Sequence, residues 1–127
     1  MNTFKGCVRI VITPIIRMFE LEKAKEFYVD FLGFKIDWSH QYEENMPIYC
    51  QISLNHIILH LSEHHGDSSP GCAIRIKLDN IKQFHSNLQA KRYAFSNPAL
   101  EKSPWNTVEL TVTDPFFNRI TFYEEIN

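Results

Sequence analysis

The sequence predicts an α+β fold: two βαβββ repeats forming a cup-shaped mixed sheet with the helices on the outside. Three observations carry that expectation. Apolar residues recur at helical spacing over Leu21, Ala24, Tyr28 and Phe31, and again over Ile81, Phe84 and Leu88. Each helical pattern sits among short runs rich in β-branched residues and bounded by turn residues. The two patterns superpose at an offset of 60 residues, the mark of an internal repeat. A chain of 127 residues fits a single domain, with repeat one over about 7–62 and repeat two over about 72–125.

In chain order, Cys7 to Ile16 reads as the first strand, from its β-branched content. The helix Leu21 to Leu32 is stopped by Gly33, which accepts the left-handed backbone without steric cost. Phe34 to His40 is the second strand, with Phe34, Ile36 and Trp38 expected on one side. Ile48 to Leu54 and Ile57 to Leu61 make a hairpin around Asn55-His56. Ser62 to Gly71 is turn chemistry throughout. Cys72 to Leu78 alternates, Ile74, Ile76 and Leu78 against Ala73, Arg75 and Lys77. Asp79-Asn80 is placed to cap the second helix. Further strands are expected over Tyr93 to Asn97, Thr107 to Thr113 and Arg119 to Glu124.

Alternation leaves one face of each strand mixed. Those faces carry Tyr49, Gln51 and Ser53; Ile58 and His60; Ala73, Arg75 and Lys77; Glu109, Thr111 and Thr113; Thr121 and Tyr123. Turned towards one another, they line a polar and aromatic concavity.

Composition narrows the partners. A net charge of −2, without a run of either sign, gives no counterion-releasing surface for nucleic acid and no basic amphipathic helix for a membrane. Cys7, Cys50 and Cys72 are odd in number and scattered, so reduced thiols in a cytoplasmic protein are expected. No signal-peptide pattern and no apolar run of about 20 residues is present. Phosphate-cradling glycine loops and nucleophile elbows are absent from the sequence too. Cys50 alternates with Ile52 and Leu54, which reads as core packing rather than as a nucleophile.

The residues Glu22-Lys23-Ala24 to Phe27-Tyr28, Leu32-Gly33-Phe34 and Trp38 resemble the vicinal oxygen chelate superfamily of glyoxalases and dioxygenases. The stretch Leu59-His60-Leu61-Ser62-Glu63-His64-His65-Gly66-Asp67, with Pro70-Gly71, Pro104-Trp105, Asp114-Pro115 and Asn118, resembles its bleomycin-resistance branch more particularly. The chain departs from the pattern at Asn106, Phe117 and Arg92, where glycine is usual. Asn tolerates a positive φ. Phe does not, so the last hairpin is expected to open differently or to pass that position to Asn118.

What the resemblance implies divides in two. Enzymes of the superfamily hold a divalent metal on four strand positions, which map here to Thr13, His60, Ala73 and Thr121. A catalytic metal needs about three good protein ligands and an open position, and this set offers one histidine. No metal and no other cofactor is therefore expected. His60, His64 and His65 with Glu63 and Asp67 form a second cluster, read as a turn-rich loop whose side chains cap its own backbone. The resistance branch instead implies a homodimer that sequesters a cationic, aromatic glycopeptide antibiotic in an interface crevice. The expected ligand-binding residues are Trp38, Tyr42, Tyr49, His60, Glu63, Asp67, Arg75, Trp105 and Glu109, with Glu43 and Glu44 as further acids. Core packing is the competing reading for each aromatic. A metal-dependent enzyme and a ligand-sensing module are the alternative functions.

Overall fold

The computed structural model describes residues 9–126. Its strands and helices run β1 (Ile15–Arg17), α1 (Leu21–Ala24), which widens into π-helical turns over Lys25–Phe31, β2 (Lys35–Gln41), β3 (Ile48–Leu54) and β4 (Ile57–Ser62). The second repeat follows as β5 (Ala73–Lys77), α2 (Ile81–Ala90), β6 (Glu101–Lys102), β7 (Thr107–Thr113) and β8 (Arg119–Glu125). Each repeat makes a four-stranded mixed sheet, ordered β1-β4-β3-β2 and β5-β8-β7-β6. In each, the first strand lies parallel to the last and the others pair antiparallel. The two-fold βαβββ order stands, with Leu21 and Ile81 opening the helices 60 residues apart.

Burial follows the alternation. Cys50 and Ile52 on β3, Leu59 and Leu61 on β4, Leu110 and Val112 on β7, and Ile120 and Phe122 on β8 are buried. They join Ala24, Phe27, Tyr28, Phe31, Ile81 and Leu88 from the helices in one core drawn from both repeats. Ile74 and Ile76 pack against that core while Arg75 faces away from it, so the mixed faces are the open ones.

Several local expectations change. Cys7 and Val8 of the expected first strand lie outside the described residues; of the remainder only Ile15 and Ile16 are strand, because Pro14 can donate no ladder hydrogen bond. Asn80 does not cap α2 with its side chain; its backbone is left-handed, at φ 61°, and the Glu124 carboxylate of β8 accepts from the Asn80 and Ile81 N–H groups instead, each at 3.0 Å. Tyr93 to Asn97 is turn rather than strand. There Tyr93 stacks on Phe31 at 4.6 Å, and the edge strand forms later, at Glu101.

The last hairpin neither opens nor hands its strained position to Asn118. Phe117 itself takes φ 68°, and Arg92 and Asn106 likewise keep positive φ at 51° and 63°. The cost at Phe117, about 1–2 kcal/mol, is met by a buried polar knot around it. Asp114 Oδ1 accepts the N–H groups of Phe116 and Asn118, at 2.8 and 2.9 Å. Oδ2 accepts the Tyr28 hydroxyl at 2.6 Å and Asn118 Nδ2 at 2.8 Å. Burial, and then the neighbouring carboxylate, hold the Tyr28 phenol well above its usual range, so the hydroxyl keeps its proton and donates.

Replacing Phe117 by Gly, which adopts this φ freely, is expected to stabilise the protein by about 1 kcal/mol in urea unfolding. Tyr28→Phe, which withdraws one donor from the buried Asp114, is expected to cost about 1–3 kcal/mol.

Candidate functional site

On the open face of the first sheet, a one-residue bulge decides what is presented. Ile36 pairs with Ile52, but the next pair is Trp38 with Gln51, so Asp37 is the inserted residue. Trp38 therefore leaves the Ile36 side, where strict alternation put it, and joins the open face. There its indole stacks on Tyr49, with centroids 6.0 Å apart and planes 12° from parallel. His60 meets the indole edge-on at 5.3 Å.

Beneath this stack runs a directed chain of hydrogen bonds. Asp37 Oδ2 can only accept, so Gln51 turns its Nε2 to it, at 3.0 Å. Gln51 Oε1 then faces His60 Nε2, which must donate, at 3.0 Å. His60 Nδ1 lies 2.7 Å from the Tyr49 hydroxyl and, in the neutral imidazole, accepts from it. Ser53 donates to the other Asp37 oxygen at 2.9 Å. Both ring nitrogens of His60 are engaged.

The open face of the second sheet centres on Glu109. Arg75 clamps its two oxygens, at 3.1 and 2.8 Å. Thr107 Oγ1 donates to Oε2 at 2.6 Å and Trp105 Nε1 at 3.0 Å. These donors, Arg75 first, hold the Glu109 carboxyl down at about 2. The Arg75 guanidinium lies over the Tyr123 ring at 4.4 Å. A cavity of about 330 Å³ opens here, lined by Arg75, Trp105, Thr107, Tyr123 and Glu125 among others. Larger clefts, of about 690 and 570 Å³, lie on the helix side of the molecule, away from both open faces.

The sequence-predicted residues thus divide into groups. Trp38, Tyr49 and His60 come together on one face, and Arg75, Trp105 and Glu109 on the other. Trp38 and Trp105 are 44% and 62% exposed, so neither is a core residue. Tyr42 stands on the β2–β3 loop, 77% exposed, and takes no part in the stack. Glu63 and Asp67 serve the fold: Glu63 Oε1 accepts from the Ile48 N–H at 2.8 Å, and Asp67 Oδ2 from the Ser62 hydroxyl at 2.6 Å. Asp37 and Thr107 were missed, whereas Tyr123 was expected on the mixed face but not among the ligand-binding residues. Tyr123 pairs with Glu109 across β7 and β8, which the alternation of both strands does signal; Asp37 depends on the bulge, which nothing in the sequence marks.

His60 pairs with Ile15 and Thr121 with Arg75, two residues on from the expected Thr13 and Ala73. Either set fails as a divalent-metal site: one histidine with both nitrogens engaged stands with an isoleucine or threonine, a threonine, and an alanine or a cationic guanidinium. Cys50 is buried behind the sheet, and that burial pushes its thiol up to about 11, out of nucleophile range.

Comparison with known proteins agrees with this architecture. The family model described as "Glyoxalase superfamily protein" matches residues 1–127. The chain belongs to the glyoxalase superfamily. No curated protein matches it in sequence. Among solved structures, it is similar to a bleomycin resistance determinant encoded on the transposon Tn5, with a TM-score of 0.72 at 16% identity over 92% of this chain and 98% of that one. A bleomycin-binding protein complexed with bleomycin gives a TM-score of 0.71 at 16% identity, covering 92% and 99%. An antibiotic-binding protein from Streptomyces sp. CB03234 gives 0.68 at 20%, covering 95% and 99%. At these identities the likeness is one of fold. Among the described residues, no helix is long and apolar enough to cross a membrane.

Two outcomes follow for the superfamily fold as this chain builds it. Ni²⁺, Zn²⁺, Mn²⁺ or Fe²⁺ added to tag-free protein is expected to leave the Tm unchanged; a rise of several degrees with any of them would contradict the ligand assignment. Glu109, lowered from 4.5 to about 2 in the folded state, contributes stability that is fully present above pH 4.5 and lost as the pH falls towards 2. The Trp105 indole N–H resonance of the folded protein is expected to titrate with a midpoint near 2, and Glu109→Gln to abolish the titration.

Proposed function

We propose that the protein is a non-catalytic, cytoplasmic small-molecule-binding protein that sequesters an aromatic antibiotic, as its bleomycin-binding structural relatives bind theirs, in crevices between two copies of the chain. The observation that carries this is the pair of open aromatic faces. Trp38 on Tyr49 and Trp105 beside Arg75 present ring planes to solvent, which suits stacking on a flat ligand. The polar groups around them are already bonded to one another, which suits holding a molecule rather than transforming it.

Pairing of two copies has its own support. Ile10, Val11 and Ile12 form an apolar strip, each more than 60% exposed, just ahead of the short β1. A contiguous exposed strip of this kind marks an interface more often than free surface. A partner's open sheet laid against this one would close each half-cavity into a crevice.

The test is tryptophan fluorescence of the metal-free protein titrated with bleomycin and with a panel of other planar aromatic antibiotics. Saturable quenching by at least one compound is expected, at one or two ligands per dimer, with the compound recovered intact and the dimer seen by sedimentation. Trp38→Phe is expected to remove most of the quenching or to weaken binding about tenfold, roughly the loss of 1–1.5 kcal/mol of stacking. No response from any compound up to about 100 µM, the range of a Kd too weak for sequestration, overturns the proposal.

A further inference from the structure

Two acids of the open faces are held by donors of the fold, while Glu101, opposite Glu109 on the edge strand, is exposed. Glu109 receives four donors on its two oxygens. Asp37, the acid beneath the Trp38 stack, receives Gln51 and Ser53. On β5 the exposed Lys77 answers Glu125 at 3.3 Å. Beside these acids, the second face also offers unused donors. A guanidinium has five N–H groups, and the bidentate clamp on Glu109 uses two of Arg75's. The other three belong to a side chain still 47% exposed, held flat on Tyr123 at the edge of the 330 Å³ cavity.

We infer, resting on the binding function proposed above, that the ligand is a planar aromatic compound bearing an anionic or acceptor oxygen that meets Arg75. The physical reason is one of matching. A ring stacks on the exposed indoles whatever its charge, but a carboxylate, phenolate or quinone oxygen beside it finds free, preorganised N–H groups. An ammonium group in the same place would meet the guanidinium charge and be repelled by it. The approach of Arg75 needs no rearrangement, since Glu109 from one side and the Tyr123 ring from below fix the guanidinium plane.

The experiment uses one ring in two charge states. Anthracene-2-carboxylate and 2-(aminomethyl)anthracene are titrated into the protein at neutral pH, with tryptophan quenching as the readout. The carboxylate is expected to bind at least about tenfold tighter, the scale of one charge-assisted pair in a partly open site. Arg75→Gln is expected to erase that difference and leave the amine's binding where it was. Arg75→Lys keeps the charge without the planar fork, and is expected to restore part of the preference; this guards against a folding defect in the glutamine variant. Equal binding of the two probes, or tighter binding of the amine, overturns the inference and leaves the binding function standing. So does quenching by bleomycin alone. Silence from both probes and from every antibiotic in the panel overturns the binding function, and the inference with it.

Discussion

The placement of the two repeats rests on one buried carboxylate–amide pair. Asp114 and Asn118 are almost wholly inaccessible, and between them they bond to four separate parts of the chain. Asp114 takes the Tyr28 hydroxyl from the first helix and the backbone of its own turn. Asn118 Nδ2 donates to the Arg17 carbonyl at the end of β1, while its Oδ1 accepts the N–H groups of Gly71 and Cys72 at the entry to β5. A buried polar network with members left unpaired costs more than an apolar core, and one fully satisfied fixes a single arrangement. This one is satisfied from both repeats, so it sets how the two sheets sit on their shared core and hence where the open faces point.

That constraint explains why a phenylalanine holds a glycine's conformation. The Asp114 side chain needs the Phe116 and Asn118 N–H groups converging on one oxygen, and the turn that brings them together passes through positive φ at Phe117. Losing two charge-assisted hydrogen bonds to a buried carboxylate would cost more than the strain of one residue. The Phe117 ring points to solvent, 76% exposed, and gives nothing back in packing.

The periodic parts of this architecture were legible in the sequence, and the aperiodic parts were not. Apolar spacing located both helices, the hairpin at Asn55-His56 and the inward faces of β3, β4, β5 and β8, because a core half-buried by alternation writes itself into the sequence. The bulge at Asp37 leaves no such trace. It shifts the register of one strand edge by a single residue, and it moves Trp38 from the side of Ile36 to the open face. The Glu124 cap on α2 was hidden for a different reason: the residues it joins lie 44 and 43 positions apart, and a local capping rule looks only at neighbours. Tyr93 to Asn97 has strand-like composition, yet its aromatic is drawn onto Phe31 and the segment turns there. The candidate site fell between these cases. Its second face follows from alternation, whereas its first depends on the bulge.

Chemistry needs a group left free to exchange a proton, attack a carbon or bind a metal, and the open faces of this chain leave few such groups. Of the histidines there, His60 is held at both nitrogens, donating to Gln51 and bonded to Tyr49, while His40, opposite Tyr49, is exposed. Asp37 and Glu109 accept from donors fixed by the fold, and the nearest thiol is on the other side of the sheet with its proton held by burial. Beside them stand ring surface and the outer N–H groups of one arginine. Those are fixed in place before any ligand arrives, so little ordering entropy is lost on binding. A surface with these properties favours recognition by plane and by acceptor oxygen.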